Sequence, residues 1–316
     1  MNRLEAMELA QESEHCLRPA EAFSLIGNEI RVSILEALWH ADEQSVEFTN
    51  LYGMIDADCS AKFNYHLGQL TGHFVRKTDA GYELRTAGES VVQAVVEGSF
   101  NAHPDLDPFE TGDDCTGCGS RLVATYDDEE LAIACPACGR THGQYSFPPG
   151  GLIGRDEREI LSAFDQRVRH LHCLARDGVC PECSGQMRTR IVRETDCCLD
   201  TELHAEYVCE QCRQHLCSAI GLALVDESAV VAFYRDQGVD LGEVPYWQLD
   251  WCVSDSDVTV LSTDPWRIAV SIVQGGETLT VALDGELRVG EIERNAHASG
   301  SGIHADDGNT ESDCRS

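Results

Sequence analysis

Cys115-Thr-Gly-Cys118, Cys135-Pro-Ala-Cys138, Cys180-Pro-Glu-Cys183 and Cys209-Glu-Gln-Cys212 decide how the rest of this chain is read. A Cys-x-x-Cys turn aims two thiolates at one ion, and two such turns close a tetrahedral four-sulfur site. Taken in order, the turns make two sets, Cys115, Cys118, Cys135, Cys138 and Cys180, Cys183, Cys209, Cys212. The spacers of 16 and 25 residues are long enough for a β-hairpin that returns each second turn to the first. Gly119 and Gly139 follow the first two turns and supply open backbone, whereas the second set has Gly185 after one turn only. Both sets are expected to be zinc ribbons holding structural Zn2+. An assembly that pairs turns across the sets satisfies the same spacing, and iron–sulfur ligation uses the same residue type. A closed all-cysteine site leaves no coordination position for substrate, so the metal is expected to staple small cores or to build a docking surface.

Composition narrows the class further. The chain has 316 residues and a formal net charge of -32, and its only lysines are Lys62 and Lys77. Acidic excess with almost no lysine resembles the proteome of salt-loving archaea, where molar salt screens the self-repulsion of a charged surface. No apolar h-region opens the chain, and no run of 18 apolar residues exists to cross a bilayer. A cytoplasmic location without membrane contact is therefore expected, where reduced thiols favour metal over disulfides.

Upstream of the cysteines the periodicity is helical. Residues 20–27, 29–40, 47–55 and 60–71 read as four helices, with Ile30, Ile34, Leu35 and Leu38 striping the second and Phe48, Leu51 and Ile55 the third. Asp58 is expected to cap the fourth helix, and Gly72 to end it. Asp79-Ala80-Gly81 is a hairpin turn between two short strand-like runs, and a further helix follows to about Glu97. Helices three and four joined by a short turn and followed by a hairpin make a winged helix-turn-helix. At 100° per residue Phe63, Leu67 and Leu70 face the core, while Lys62, Tyr65, His66 and Gln69 share another face suited to base edges and phosphates. Both lysines fall here, and Arg76 and Arg85 flank the hairpin.

The residues Leu25-Ile-Gly-Asn-Glu-Ile-Arg-Val-Ser-Ile-Leu-Glu-Ala-Leu38, Phe63-Asn-Tyr-His-Leu-Gly-Gln-Leu70 and Gly81-Tyr-Glu-Leu84 resemble the ArsR-like winged helix-turn-helix regulators, especially haloarchaeal ones, over about residues 18–98. The resemblance implies sequence-specific binding of double-stranded DNA by a homodimer that controls transcription. The DNA-contact candidates are Ser60, Lys62, Asn64, Tyr65, His66, Gln69, Arg76, Lys77 and Arg85. Glu47-Phe-Thr-Asn-Leu-Tyr52 lacks the cysteine cluster of the metal-sensing members, which argues against metal-triggered release from that helix. Winged helices also build protein-interaction modules, so an adaptor of the transcription machinery without its own operator is the alternative.

The expected fold class is α+β: an acidic leader over 1–18, a winged helix-turn-helix over 19–100, a linker and first ribbon over 101–150, and an amphipathic helix over 151–178. A second ribbon with a β-rich region over 179–294 and a disordered tail over 295–316 complete the chain. The amphipathic helix puts Ile160, Leu161, Phe164, Val168, Leu171 and Leu174 on one side. Residues 230–233, 258–261, 268–273 and 279–283 read as β-branched runs, with Asp284-Gly285 as a turn. Trp247, Trp251 and Trp266 are expected in cores, in a region open to a protein partner or effector. His172 and Cys173 are read as packing or solvent-facing, Asp255-Ser-Asp257 as solvated surface, and the vicinal Cys197 and Cys198 as loop residues or a redox pair. No phosphate-binding loop, nucleophile elbow or His-Glu-x-x-His motif occurs, so no enzymatic activity is expected.

Overall fold

The computed structural model describes residues 17–193 and 201–296. It is a mixed α+β structure with eight α-helices and four small antiparallel sheets among the described residues. Two compact units divide it: the first ends at His170 and includes the turn Gln211–Arg213, and the second holds Leu171–Glu210 and the chain from Gln214 on.

The first unit opens with α1 (Pro19–Ile26), α2 (Glu29–Trp39), α3 (Phe48–Met54) and α4 (Ser60–Leu70). A two-stranded hairpin, β1 (Val75–Thr78) and β2 (Gly81–Leu84), and α5 (Thr86–Glu97) follow. Local chemistry sets these ends. Pro19 occupies the first turn of α1, where its missing N–H is harmless, and the Asn28 side chain caps α2 by accepting from the Arg31 N–H. Gly72 and Gly98, both left-handed, stand just past α4 and α5. Ile34 and Leu35 of α2, Leu51 of α3, and Phe63, Leu67 and Leu70 of α4 close one core with Val75 and Val92. The Phe63 ring lies between Phe48 at 5.2 Å and Tyr52 at 5.3 Å, so one side chain ties α4 to α3. Asp58 is not the cap of α4: Cys59 occupies that position, and the Asp58 carboxylate instead accepts from Lys62 at 2.7 Å.

The same unit continues as a four-stranded meander, β3 (Phe109–Asp114), β4 (Arg121–Asp127), β5 (Glu130–Ala134) and β6 (Thr141–Ser146), in that spatial order. Leu122, Ala124, Leu131 and Ile133 are buried along one face by strict alternation. Tyr145 and Phe147 pack on Phe164 of the long helix α6 (Glu157–Arg176) at 6.3 and 5.9 Å. Ile160, Leu161, Phe164, Val168 and Leu171 are buried as the stripe requires. Leu174 is 40% exposed, and Ala175 takes the buried place beside it. The stripe drifts because 3.6 residues per turn carries the sequence phase past Leu174 by the last turn. Asp165 and Arg169 are buried together in a 2.8 Å ion pair.

The second unit carries β7 (Met187–Arg193), β8 (Leu203–Cys209) and β9 (His215–Ala219), then α7 (Ser228–Asp236) and the one-turn α8 (Asp250–Val253). A second meander ends it, β10 (Val258–Thr263), β11 (Trp266–Gln274), β12 (Glu277–Asp284) and β13 (Val289–Ala296). Residues 230–233 are helical, not a strand. Val230, Phe233 and Tyr234 are buried at helical spacing, and tertiary packing overrides the β-branched composition. Trp247 and Trp251 are buried, and the Trp251 indole donates to the Tyr234 hydroxyl at 2.8 Å, while Trp266 is only half-buried. Gly221 permits the close approach of Trp251: a Cβ there would overlap the Trp251 carbonyl oxygen. Asp255 is structural rather than free surface, since its carboxylate accepts from the Glu202 and Leu203 amides at 2.8 and 3.1 Å. Strand β13 runs through Asn295 into the segment expected as tail, whose residues 297–316 lie outside the described residues. So do residues 1–16 of the acidic leader, and Cys197 and Cys198.

Candidate metal centres and nucleic-acid interface

Each four-cysteine set gathers within itself, not across sets. The four sulfurs of Cys115, Cys118, Cys135 and Cys138 lie within 4.8 Å of one another, as do those of Cys180, Cys183, Cys209 and Cys212. A tetrahedral ion with sulfur ligands at about 2.3 Å needs sulfurs about 3.8 Å apart. Here Cys115–Cys138 is 3.8 Å, Cys118–Cys135 3.4 Å and Cys183–Cys209 3.6 Å. The donor set and its spacing fit one metal ion per group.

The knuckles form the centres from the backbone outward. The Cys115 amide donates to the Ser120 carbonyl at 2.7 Å, and the Gly119 amide returns to the Cys115 carbonyl at 2.8 Å. Cys135 with Arg140 and Gly139 repeats this arrangement, as do Cys180 with Gly185 and Ser184, and Cys209 with Gln214. The closing residue is left-handed in all four: Gly119, Gly139, Ser184 and Arg213. The glycine noted in the sequence, Gly185, is one place beyond the strained position. Hydrogen bonding from Ser120 lowers the Cys118 thiol to about 6, while, against the bond from the Arg140 backbone, the neighbouring sulfurs and burial push the Cys138 thiol up to about 11. His142 is buried with Nε2 3.4 Å from the Cys115 sulfur. No spacing rule marked it, because its approach depends on sheet register.

Helix α4 buries the apolar stripe its periodicity predicts. Ser60, Lys62, Asn64 and Tyr65 are exposed, and His66 and Gln69 are half-buried. Tyr65 stands 61% exposed, with its ring edge against His66 at 5.3 Å. His66 Nδ1 is buried with no hydrogen-bond partner, and burial, with the nearby charges of Arg31 and Lys62, holds its pKa below the ordinary imidazole value. Both effects favour the neutral ring.

The cations are less available than their sequence positions imply. Lys62 pairs with Asp58, Arg76 pairs across the hairpin with Glu83 at 2.7 Å, and Arg85 donates to the Gly72 carbonyl. Lys77 sits over the Tyr82 ring at 5.8 Å. Glu83, the countercharge of Arg76, was missed in the sequence because pairing across a hairpin needs the register Arg76↔Glu83, whereas Asp58 was read as a cap and instead pairs with Lys62 one turn on. Among the described residues no helix is long and apolar enough to cross a membrane.

Residues 112–289, more than half of the chain and including both cysteine groups, match a family described as a domain of unknown function (DUF7351). Residues 19–95 match a second, also described as a domain of unknown function (DUF7347). No curated protein and no solved structure matches the chain.

Proposed function

We propose that this chain, which belongs to the DUF7351 family, is a sequence-specific DNA-binding transcriptional regulator that acts as a homodimer. In this reading residues 19–97 are a winged helix-turn-helix, α4 is the recognition helix and β1–β2 the wing. The observation that carries it is the division of α4. Phe63, Leu67 and Leu70 are buried, which leaves Asn64, Tyr65, His66 and Gln69 on the remaining surface, with Arg76 and Lys77 on the hairpin that follows. These groups read base edges, whereas Ser60, Lys62, Arg76, Lys77 and Arg85 meet phosphates. In molar salt phosphate contacts lose most of their value, so Tyr65 and His66 carry the affinity.

Zn2+ is the metal in this reading. Cys115, Cys118, Cys135 and Cys138 hold one ion and Cys180, Cys183, Cys209 and Cys212 the other, with no open position for catalysis. The ion supplies folding free energy to knuckles that bury little apolar surface. The zinc modules and the sheet β10–β13 contact a partner or effector.

The pairing of Lys62 with Asp58 and of Arg76 with Glu83 favours a second reading, an adaptor that docks protein through the same face. Selection from a random double-stranded DNA pool in molar KCl, with zinc present, separates the two. A motif enriched by the wild type and lost in the folded Tyr65→Ala/His66→Ala variant is the expected result. No enrichment at any salt concentration refutes the regulator, as does enrichment that the variant retains.

A further inference from the structure

The two metal centres are built on the same knuckles but differ by one inserted residue. In the first sheet Ala134 pairs with Thr141 and Ile133 with Gly143, so His142 is an extra residue in β6, a β-bulge. Bulges redirect a side chain out of the alternation of a strand. The second sheet pairs Val208 with His215 and Tyr207 with Leu216, with nothing left over. The knuckles align the two ladders, because Cys135 donates to the Arg140 carbonyl and Cys209 to the Gln214 carbonyl, both at 2.9 Å. The second ladder therefore has no counterpart of His142. The bulged imidazole is 2% exposed and brings Nε2 to 3.4 Å from the Cys115 sulfur.

A cysteine bound to a metal is a thiolate, which only accepts hydrogen bonds. A ring nitrogen at that distance from a thiolate must carry the hydrogen, so metal binding selects the Nε2–H tautomer. We infer that His142 is a positioning residue of the first metal centre and donates an N–H···S hydrogen bond to Cys115. Four thiolates around a divalent ion carry a net double negative charge, and this donor draws part of it off one sulfur. The bond also fixes the Cys115 side chain, as outer groups do for other metal ligands. The first centre thereby holds its ion more tightly, and its Cys115 sulfur is less nucleophilic. The inference rests on the metal reading above.

The test uses the full chain loaded with Co2+, whose thiolate charge-transfer absorption reports each centre, under titration with a chelator. His142→Leu is expected to release one of the two ions about 10-fold more readily and to shift the charge-transfer band of that ion alone. His142→Gln, whose amide can donate, restores most of the difference. The second ion, unchanged in every variant, reports that the rest of the chain is folded. Release of both ions as in the wild type by His142→Leu overturns the inference, and so does a Gln variant as weak as the Leu variant. If His142→Leu fails to load the first centre at all, the Gln variant decides alone. A wild-type protein that takes up no cobalt overturns the metal reading and the role of His142 with it.

Discussion

Replacing Ser184 and Arg213 with glycine should tighten the second metal centre. Both residues are exposed, and both hold φ in the left-handed region, at 57° and 68°, where the first centre has Gly119 at 73° and Gly139 at 80°. A side chain in that region costs about 1–2 kcal/mol. Glycine gives back about 0.4–1 kcal/mol through the entropy of the unfolded chain, which leaves a net gain of about 0.5–1 kcal/mol per site. If the metal reading holds, binding is coupled to folding of the knuckle, so each change appears as about a 2–5-fold rise in apparent metal affinity. The reciprocal changes, Gly119→Ser and Gly139→Arg, should weaken the first centre by a similar factor. Competition with a chromogenic chelator, run beside urea unfolding of the same variants, measures both effects. If Ser184→Gly and Arg213→Gly leave affinity unchanged or lower it, the reasoning from backbone conformation is wrong.

Phe63→Ala removes the ring between Phe48 and Tyr52 and should cost about 3–5 kcal/mol, read as loss of the first unit's helical unfolding transition while the second unit's tryptophan signal persists. Burial lowers His172 to about 3 from an ordinary 6.5, so between those values the native state binds fewer protons than the unfolded chain. That stability is present above pH 6.5 and is lost as the pH falls, by up to about 1.4 kcal/mol per pH unit relative to His172→Phe in tryptophan-monitored urea unfolding. If the regulator reading holds, Asp58→Asn and Glu83→Gln free Lys62 and Arg76 for phosphates. Each should strengthen operator binding and steepen its salt dependence by up to about one contact, and titrations at several KCl concentrations show a parallel shift if they do not.

Much of the architecture was legible wherever a rule acts over a few residues. The buried stripe of α4, the Gly72 stop and the knuckles all depend on neighbours within one or two turns of chain. What escaped depends on groups distant in sequence. Strands β3 and β6 complete the first meander, yet Phe109-Glu-Thr-Gly-Asp-Asp114 and Thr141-His-Gly-Gln-Tyr-Ser146 are too polar to read as strands without their partners. Residues 230–233 carry strand-like composition on a helix that buries Val230 and Phe233. One local reading also failed: Asp58 had the chemistry of a cap, but Lys62 one turn onward takes its carboxylate. The approach of His142 to Cys115 follows from a single register shift, which no composition records.

The segment before α3 has a mechanical consequence for whatever docks beside α4. Val46 and Tyr82 exchange both backbone hydrogen bonds at 2.9 Å, and the Ser45 and Thr78 hydroxyls meet at 3.1 Å. At Gly81 any side chain would collide with the Val46 carbonyl, so the hairpin cannot slide by a residue along its neighbour. Gly72 and Val75 close the other end with a 2.7 Å hydrogen bond directly after α4. Helix and hairpin thus behave as one body whose two contact edges keep a fixed separation in the free protein. A partner that matches this separation binds without the ordering entropy of aligning them, and one with a different spacing must first break one of these contacts.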